Sequence, residues 1–211
     1  MLENARSQVI EYAQRMTRDG LVKGTSGNIS VREGEFVAIT PGATDYASME
    51  IEDVVVVSLD GEIVEGRGKP SSELELHLEL YRKHEAQAVV HTHSTFATVV
   101  SVTEPRLPAI HYMVASMGGP VPVIPYRRYG SPELAAEVAS AMSGRSALIM
   151  GSHGAVTIGA SIGQAYTRSL NLEWMCQVYV EASKFGTPRI LDDGEIEQVA
   201  ARMQTKGYLA K

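Results

Sequence analysis

The stretch Ala88–Phe96 reads AVVHTHSTF, and the setting of its two histidines decides the fold. The residues before them, from Ala86 to Val90, are mostly apolar with two adjacent valines, the pattern of a buried strand. Side chains alternate along a strand, so His91 and His93 point to one side, about 7 Å apart along the backbone. Two imidazoles on one face at the end of a buried strand suit a metal that takes convergent nitrogens. Two hydrogen-bonded histidines without a metal would give the same pattern, so the rest of the chain has to discriminate.

On either side of this strand, extended and helical segments alternate with no low-complexity linker and no repeat. A first helix over about residues 3–18 ends near Asp19-Gly20, where glycine suits a left-handed cap. KGTSGNISVREGEFVAITPG is a glycine-rich turn leading into two strands joined at Glu33-Gly34, and DVVVVSLDGEIVEG is a hairpin turning at Asp60-Gly61. SSELELHLELYRKH reads as a helix with a capping box of Ser72 and Glu75. After the histidine strand come a helix over about 95–103 and an irregular, proline-rich stretch. A helix capped by Ser131 with Pro132 at its first position follows. SALIMGSHGAVTIG is two strands broken at Gly151–Gly154, and a long helix and a last one over about 193–205 complete the chain. Two hairpins among strand–helix alternations predict an α/β three-layer sandwich, a mixed, largely antiparallel sheet flanked by helices.

The 211 residues, 44% of them hydrophobic, suffice for one core, and the expected organisation is a single domain over 1–211. With 19 basic and 25 acidic residues the formal charge is -6, so no broad basic surface for nucleic acid is implied. No apolar run reaches bilayer length, and the amphipathic N-terminus does not read as a signal peptide, so no membrane role and a cytoplasmic location are expected. Cys176 is the one cysteine and is expected as a small core residue of the long helix.

A third histidine, His153, lies at the break between two strands with glycine freedom around it. Added to His91 and His93, it completes a three-histidine set with a coordination position left open, as in catalytic zinc sites. His77 and His84, seven residues apart on one helix, read as solvent-facing or packing residues. His111, in an irregular stretch, is harder to set aside. A cupin would place a glutamate soon after the second histidine and a metallo-β-lactamase would continue with Asp-His; neither fits. Three loops, GTSGN (24–28), TPGAT (40–44) and KPSSE (69–73), combine hydroxyl or amide groups with tight turns. Ser71 and Ser72 open a helix, where free N–H groups attract an anion. Taken singly each loop is an ordinary turn; converged, the three would cradle a phosphate, with Lys69 as a local cation.

GTSGNISVR, ITPGATDY, GKPSSELELH, AVVHTHS, LPAIHYMVAS and GSHGAV together, in this order and spacing, resemble the class II aldolase/adducin family, L-fuculose-phosphate aldolase type. The resemblance covers nearly the whole chain. It implies a homotetramer with active sites at subunit boundaries and one divalent metal per subunit held by His91, His93 and His153. That metal is zinc, with manganese or cobalt as alternatives. It implies Glu73 as acid/base and as a further ligand in the resting state, with Thr25, Gly27, Asn28, Ser71 and Ser72 at the phosphate. The implied reaction is reversible cleavage of a ketose 1-phosphate, L-fuculose 1-phosphate or a related deoxy or methylthio sugar phosphate, to dihydroxyacetone phosphate and an aldehyde. Tyr112, from a neighbouring subunit, would handle the proton on the aldehyde oxygen. Two departures stand out: Gly42-Ala43 replaces a common Thr-Gly, and Lys206, with Tyr208 beyond it, replaces a C-terminal tyrosine. A sugar-phosphate epimerase, a dehydratase, a decarboxylase and a non-catalytic adducin-like module share the scaffold. The three histidines and Glu73 favour an enzyme, and Tyr112 favours the aldolase.

Overall fold

A computed structural model describes residues 1–207. Tyr208 therefore lies outside the described residues. The histidine strand is β5 (Ala88–Thr92), fifth of nine in the order β4-β3-β2-β1-β5-β9-β8-β7-β6. Here β1 is Asn28–Glu33, β2 Phe36–Ile39, β3 Val55–Ser58 and β4 Ile63–Glu65. On the other side stand β6 (Arg106–Leu107), β7 (Val121–Ile124), β8 (Ala147–Met150) and β9 (Gly154–Gly159). Every neighbouring pair is antiparallel except β7–β8, which is parallel. The sheet is thus mixed and largely antiparallel, as the two hairpins predict.

Alternation along the strands creates two buried faces. Val37, Ile39, Val55, Val57, Val89 and Val156 face α2 (Leu74–Lys83) and α4 (Pro132–Ala141). Ile29, Val31, Ala38, Ala88 and Val90 pack against α1 (Glu3–Arg18) and the start of α5 (Ile162–Phe185). A third cluster joins α3 (Thr95–Thr103), α5 and α6 (Asp193–Thr205) over β8 and β9, and it buries Cys176. Ser131 caps α4 by accepting from the Leu134 N–H, as its sequence predicts. Among the described residues no helix is long and apolar enough to cross a membrane.

Two expectations need correction. The capping box of Ser72 and Glu75 does not form: α2 begins at Leu74, and the Ser71 hydroxyl, not that of Ser72, accepts from the Glu73 N–H at 3.2 Å. Glu75 instead meets the Arg82 guanidinium at 2.7 Å, a stronger partner than a backbone amide. The proline-rich stretch is also less irregular than expected. It holds β6, a 3₁₀ segment over Tyr112–Met117 and β7, elements too short for periodicity to register.

Candidate metal centre and anion-binding cleft

His91 lies within β5, His93 just past its end, and His153 in the turn Gly151–His153 between β8 and β9. Antiparallel pairing of β5 with β9 places His91 opposite Val156 and Thr92 opposite Ala155, which brings the distant His153 beside the other two. Close approach is possible because Gly154 has no side chain: a Cβ there would lie 2.1 Å from the Thr92 carbonyl oxygen. The three rings sit 4.7–4.9 Å apart, centroid to centroid, edge to face. Glu73, from the turn into α2, closes the set, and one ligand atom from each of the four residues lies within 4.8 Å of every other.

The atoms are poised for a cation. His91 Nε2 lies 2.9 Å from both His93 Nε2 and Glu73 Oε2. Its Nδ1 lies 3.0 Å from the Ala155 carbonyl, to which it donates, so the neutral ring turns the Nε2 lone pair inward. Glu73 Oε1, 3.4 Å from His153 Nε2, is buried and has no hydrogen-bond partner. Burial opposes ionisation of Glu73, but the charge and hydrogen bond of His91, then His153 and Asn28, outweigh it and hold the carboxyl well below the usual range. Burial likewise opposes protonation of His91, and the Glu73 carboxylate overrides it, raising His91. Burial and the charge on His91 push His93 down to about 3 and His153 to about 4. Three imidazoles, His91 offering its Nε2 lone pair once it gives up its proton, and a carboxylate with an orphaned oxygen form a donor set that fits a divalent ion.

The three loops do converge. Gly42 N donates to Lys69 O and Ser71 N to Thr40 O, so the second and third loops are stitched together. Tyr46 donates its hydroxyl to Gly27 O, anchoring the first. With Glu73, His93 and His153 they line a cleft of about 160 Å³ that contains Thr25, Gly27, Asn28, Ser71 and Ser72. Gly42 and Ala43 line it as well, Ala43 with a left-handed φ of 54°. Lys69 is exposed and does not line the cleft. Tyr112 is half exposed and lines a different hollow, with Met113, Ser116, Asn171, Val199, Arg202 and Met203. Lys206 is exposed, at the end of α6. His111 packs edge-on against Trp174, outside the four-residue cluster, and His84 Nε2 reaches the Ala139 carbonyl of α4.

Two residues escaped the sequence reading. Tyr129 lines the cleft from the loop before α4; only its position in a tyrosine- and arginine-rich loop could have marked it. His77, expected as a solvent or packing residue, is completely buried and hydrogen-bonded to Asn28 and Ser30. The signal for His77 lay in β1, where Asn28 and Ser30 put two small polar groups on one face of the strand, opposite Ile29 and Val31.

Residues 7–180 match the family model described as Class II Aldolase and Adducin N-terminal domain. The chain is 38% identical to a 5-deoxy-D-ribulose 1-phosphate aldolase of Bacillus thuringiensis serovar kurstaki, covering 98% of this chain and 99% of that protein. It is 35% identical to a 5-methylthioribulose-1-phosphate/5-deoxyribulose-1-phosphate aldolase of Rhodospirillum rubrum, over 96% and 92% of the two chains. Among solved structures, an L-fuculose 1-phosphate aldolase superposes with a TM-score of 0.92 at 35% identity, over 95% of this chain and 96% of that one.

Proposed function

The chain belongs to the class II aldolase family, and from that premise we propose how its cleft works. It is an aldolase for a ketose 1-phosphate of the deoxy-pentulose or L-fuculose kind, releasing dihydroxyacetone phosphate and an aldehyde. The observation that carries this reading is the placement of Glu73. It stands between the hydroxyl-rich loops and the three imidazoles, within reach of both ends of one short substrate.

In this reading His91, His93, His153 and, at rest, Glu73 hold one divalent metal, zinc by preference, with manganese or cobalt able to substitute. When bound, the metal supplies Lewis-acid polarisation of the substrate carbonyl. The chain's own groups do the rest. Thr25, Gly27, Asn28, Ser71 and Ser72 fix the phosphate end through hydroxyl, amide and backbone donors. Glu73 carries the proton to and from the substrate carbon that loses the aldehyde. Tyr112, which lines a hollow other than the cleft of its own chain, reaches the cleft of a neighbouring copy in a closed tetramer and serves the aldehyde oxygen. The enzyme acts in the cytoplasm, a reducing compartment suited to a chain with one cysteine.

Exchange of a carbon-bound proton of dihydroxyacetone phosphate with deuterated solvent isolates the Glu73 step from aldehyde binding. Glu73→Gln keeps the shape but cannot accept a proton, and it is expected to slow exchange by at least about 10²-fold. Exchange at the wild-type rate would remove Glu73 from this role.

A further inference from the structure

Behind the cleft, a file of five buried side chains runs from the carboxylate into the core. Asn28 Nδ2 donates to Glu73 Oε2 at 3.0 Å. Asn28 Oδ1 stands 2.5 Å from His77 Nε2, His77 Nδ1 2.6 Å from Ser30 Oγ, and Ser30 Oγ 2.7 Å from the Tyr81 hydroxyl. All five are at most 5% exposed. Asn28 and Ser30 reach His77 from β1, while Glu73, His77 and Tyr81 recur at four-residue spacing along α2 and the turn before it, so they share one helix face.

The carboxylate end determines every hydrogen in the file. An ionised carboxylate only accepts, so Asn28 must turn its NH2 toward Glu73 and its carbonyl toward His77. That carbonyl only accepts, so His77 must carry its proton on Nε2. Burial, with the charge on His91, pushes His77 down to about 3, so the ring is neutral and its Nδ1 accepts from Ser30. Ser30 in turn accepts from Tyr81. With one carboxylate oxygen held by the amide, Oε1 is the oxygen without a hydrogen-bond partner.

We propose that His77 is a positioning residue for Glu73, locking the Asn28 amide so that one carboxylate oxygen is held and the other is left to take the proton. The proposal rests on Glu73 being the proton carrier. A buried histidine kept only for packing would have no need of a defined tautomer or of this particular neighbour. Loss of the Nε2 donor frees Asn28 to rotate, and Glu73 then loses its fixed amide partner.

Two variants and one spectrum test this. Glutamine places an N–H near the position of imidazole Nε2, and asparagine near that of Nδ1. His77→Gln is therefore expected to exchange the dihydroxyacetone phosphate proton at close to the wild-type rate. His77→Asn is expected to lose about 10- to 100-fold in that exchange and in kcat, with bound metal unchanged because the three imidazoles remain. Equal rates in both variants, whether high or low, would overturn the proposal. Side-chain 15N spectra of the unmodified protein, which need no variant to fold, should show His77 protonated on Nε2 and bare on Nδ1; a proton on Nδ1 would overturn it as well. Glu73→Gln in the same assay separates the two levels of the argument. If it exchanges normally, the proton-carrier reading falls; if it is slow while His77→Asn is fast, only the role of His77 falls.

Discussion

Replacing Gly154 with alanine adds one methyl group at the point where β9 meets the end of β5. The new Cβ would lie 2.1 Å from Thr92 O, 3.2 Å from Thr92 C and 3.4 Å from His93 Cα. A carbon–oxygen contact relaxes only near about 3.3 Å, so the backbones must part by about 1 Å. The obstructing atoms are main chain, and no flexible side chain can swing aside. His93 follows Thr92 and His153 precedes Gly154, so the opening falls on the supports of two imidazoles at once. A centre of this kind tolerates displacements of about 0.5 Å. Metal affinity is therefore expected to fall by about 10²-fold, with a stability loss of about 1–3 kcal/mol from the forced separation. Chelator-competition titration gives the first quantity and urea denaturation the second. Gly34→Ala is the control: φ is +62° with open space around it, so it should cost about 1 kcal/mol of backbone strain and no metal affinity. Unchanged metal affinity in a folded Gly154→Ala protein would refute the reasoning.

His77, near 3 when folded against an ordinary value of 6.5, binds its proton only on unfolding across that window. Its contribution is complete above pH 6.5 and is lost as pH falls toward 3, at up to about 1.4 kcal/mol per pH unit. Thermal melts of His77→Gln should accordingly show a shallower acid slope than wild type, and an identical slope would count against a neutral buried ring. If Tyr112 serves a neighbouring copy, Tyr112→Phe and Glu73→Gln, each nearly inactive, should regain activity when refolded together at equal amounts. About a quarter of the sites in a randomly mixed cyclic assembly would then be complete, and no recovery would place Tyr112 outside the shared site. Ser71→Ala should weaken a phosphorylated ketose by about 1–3 kcal/mol and leave its unphosphorylated analogue alone. Equal loss on both would reduce Ser71 to the turn residue that accepts from Glu73.

Much of the architecture was legible because it is local. Glycine turns, the Ser131-Pro132 start and the valine runs each carry their structure in a few residues. The three histidines were legible for another reason: the i, i+2 pair and the glycine-flanked His153 advertise unobstructed imidazoles. The strands β6 and β7 were not, since two and four residues interrupted by Pro122 leave no period to read. Nor was the role of His77. Its partners Asn28 and Ser30 belong to another element, and a helix's own spacing says nothing about the strand it covers. The mistaken capping box has a different origin: α2 begins one residue later than a Ser72 cap requires, and Glu75 pairs with Arg82 two turns along the same helix.

The pairing of β1 with β5 sets Asn28 opposite His91, and that of β5 with β9 sets His91 opposite Val156. Because side chains alternate, a slip of one residue in either ladder would turn one partner to the opposite face of the sheet. The clustered donors then exist only when three central strands, drawn from distant parts of the chain, are all in step. A bound ion would thus act as a proofreader of strand registry, adding its stabilisation to the correctly aligned sheet and withholding it from every misaligned one.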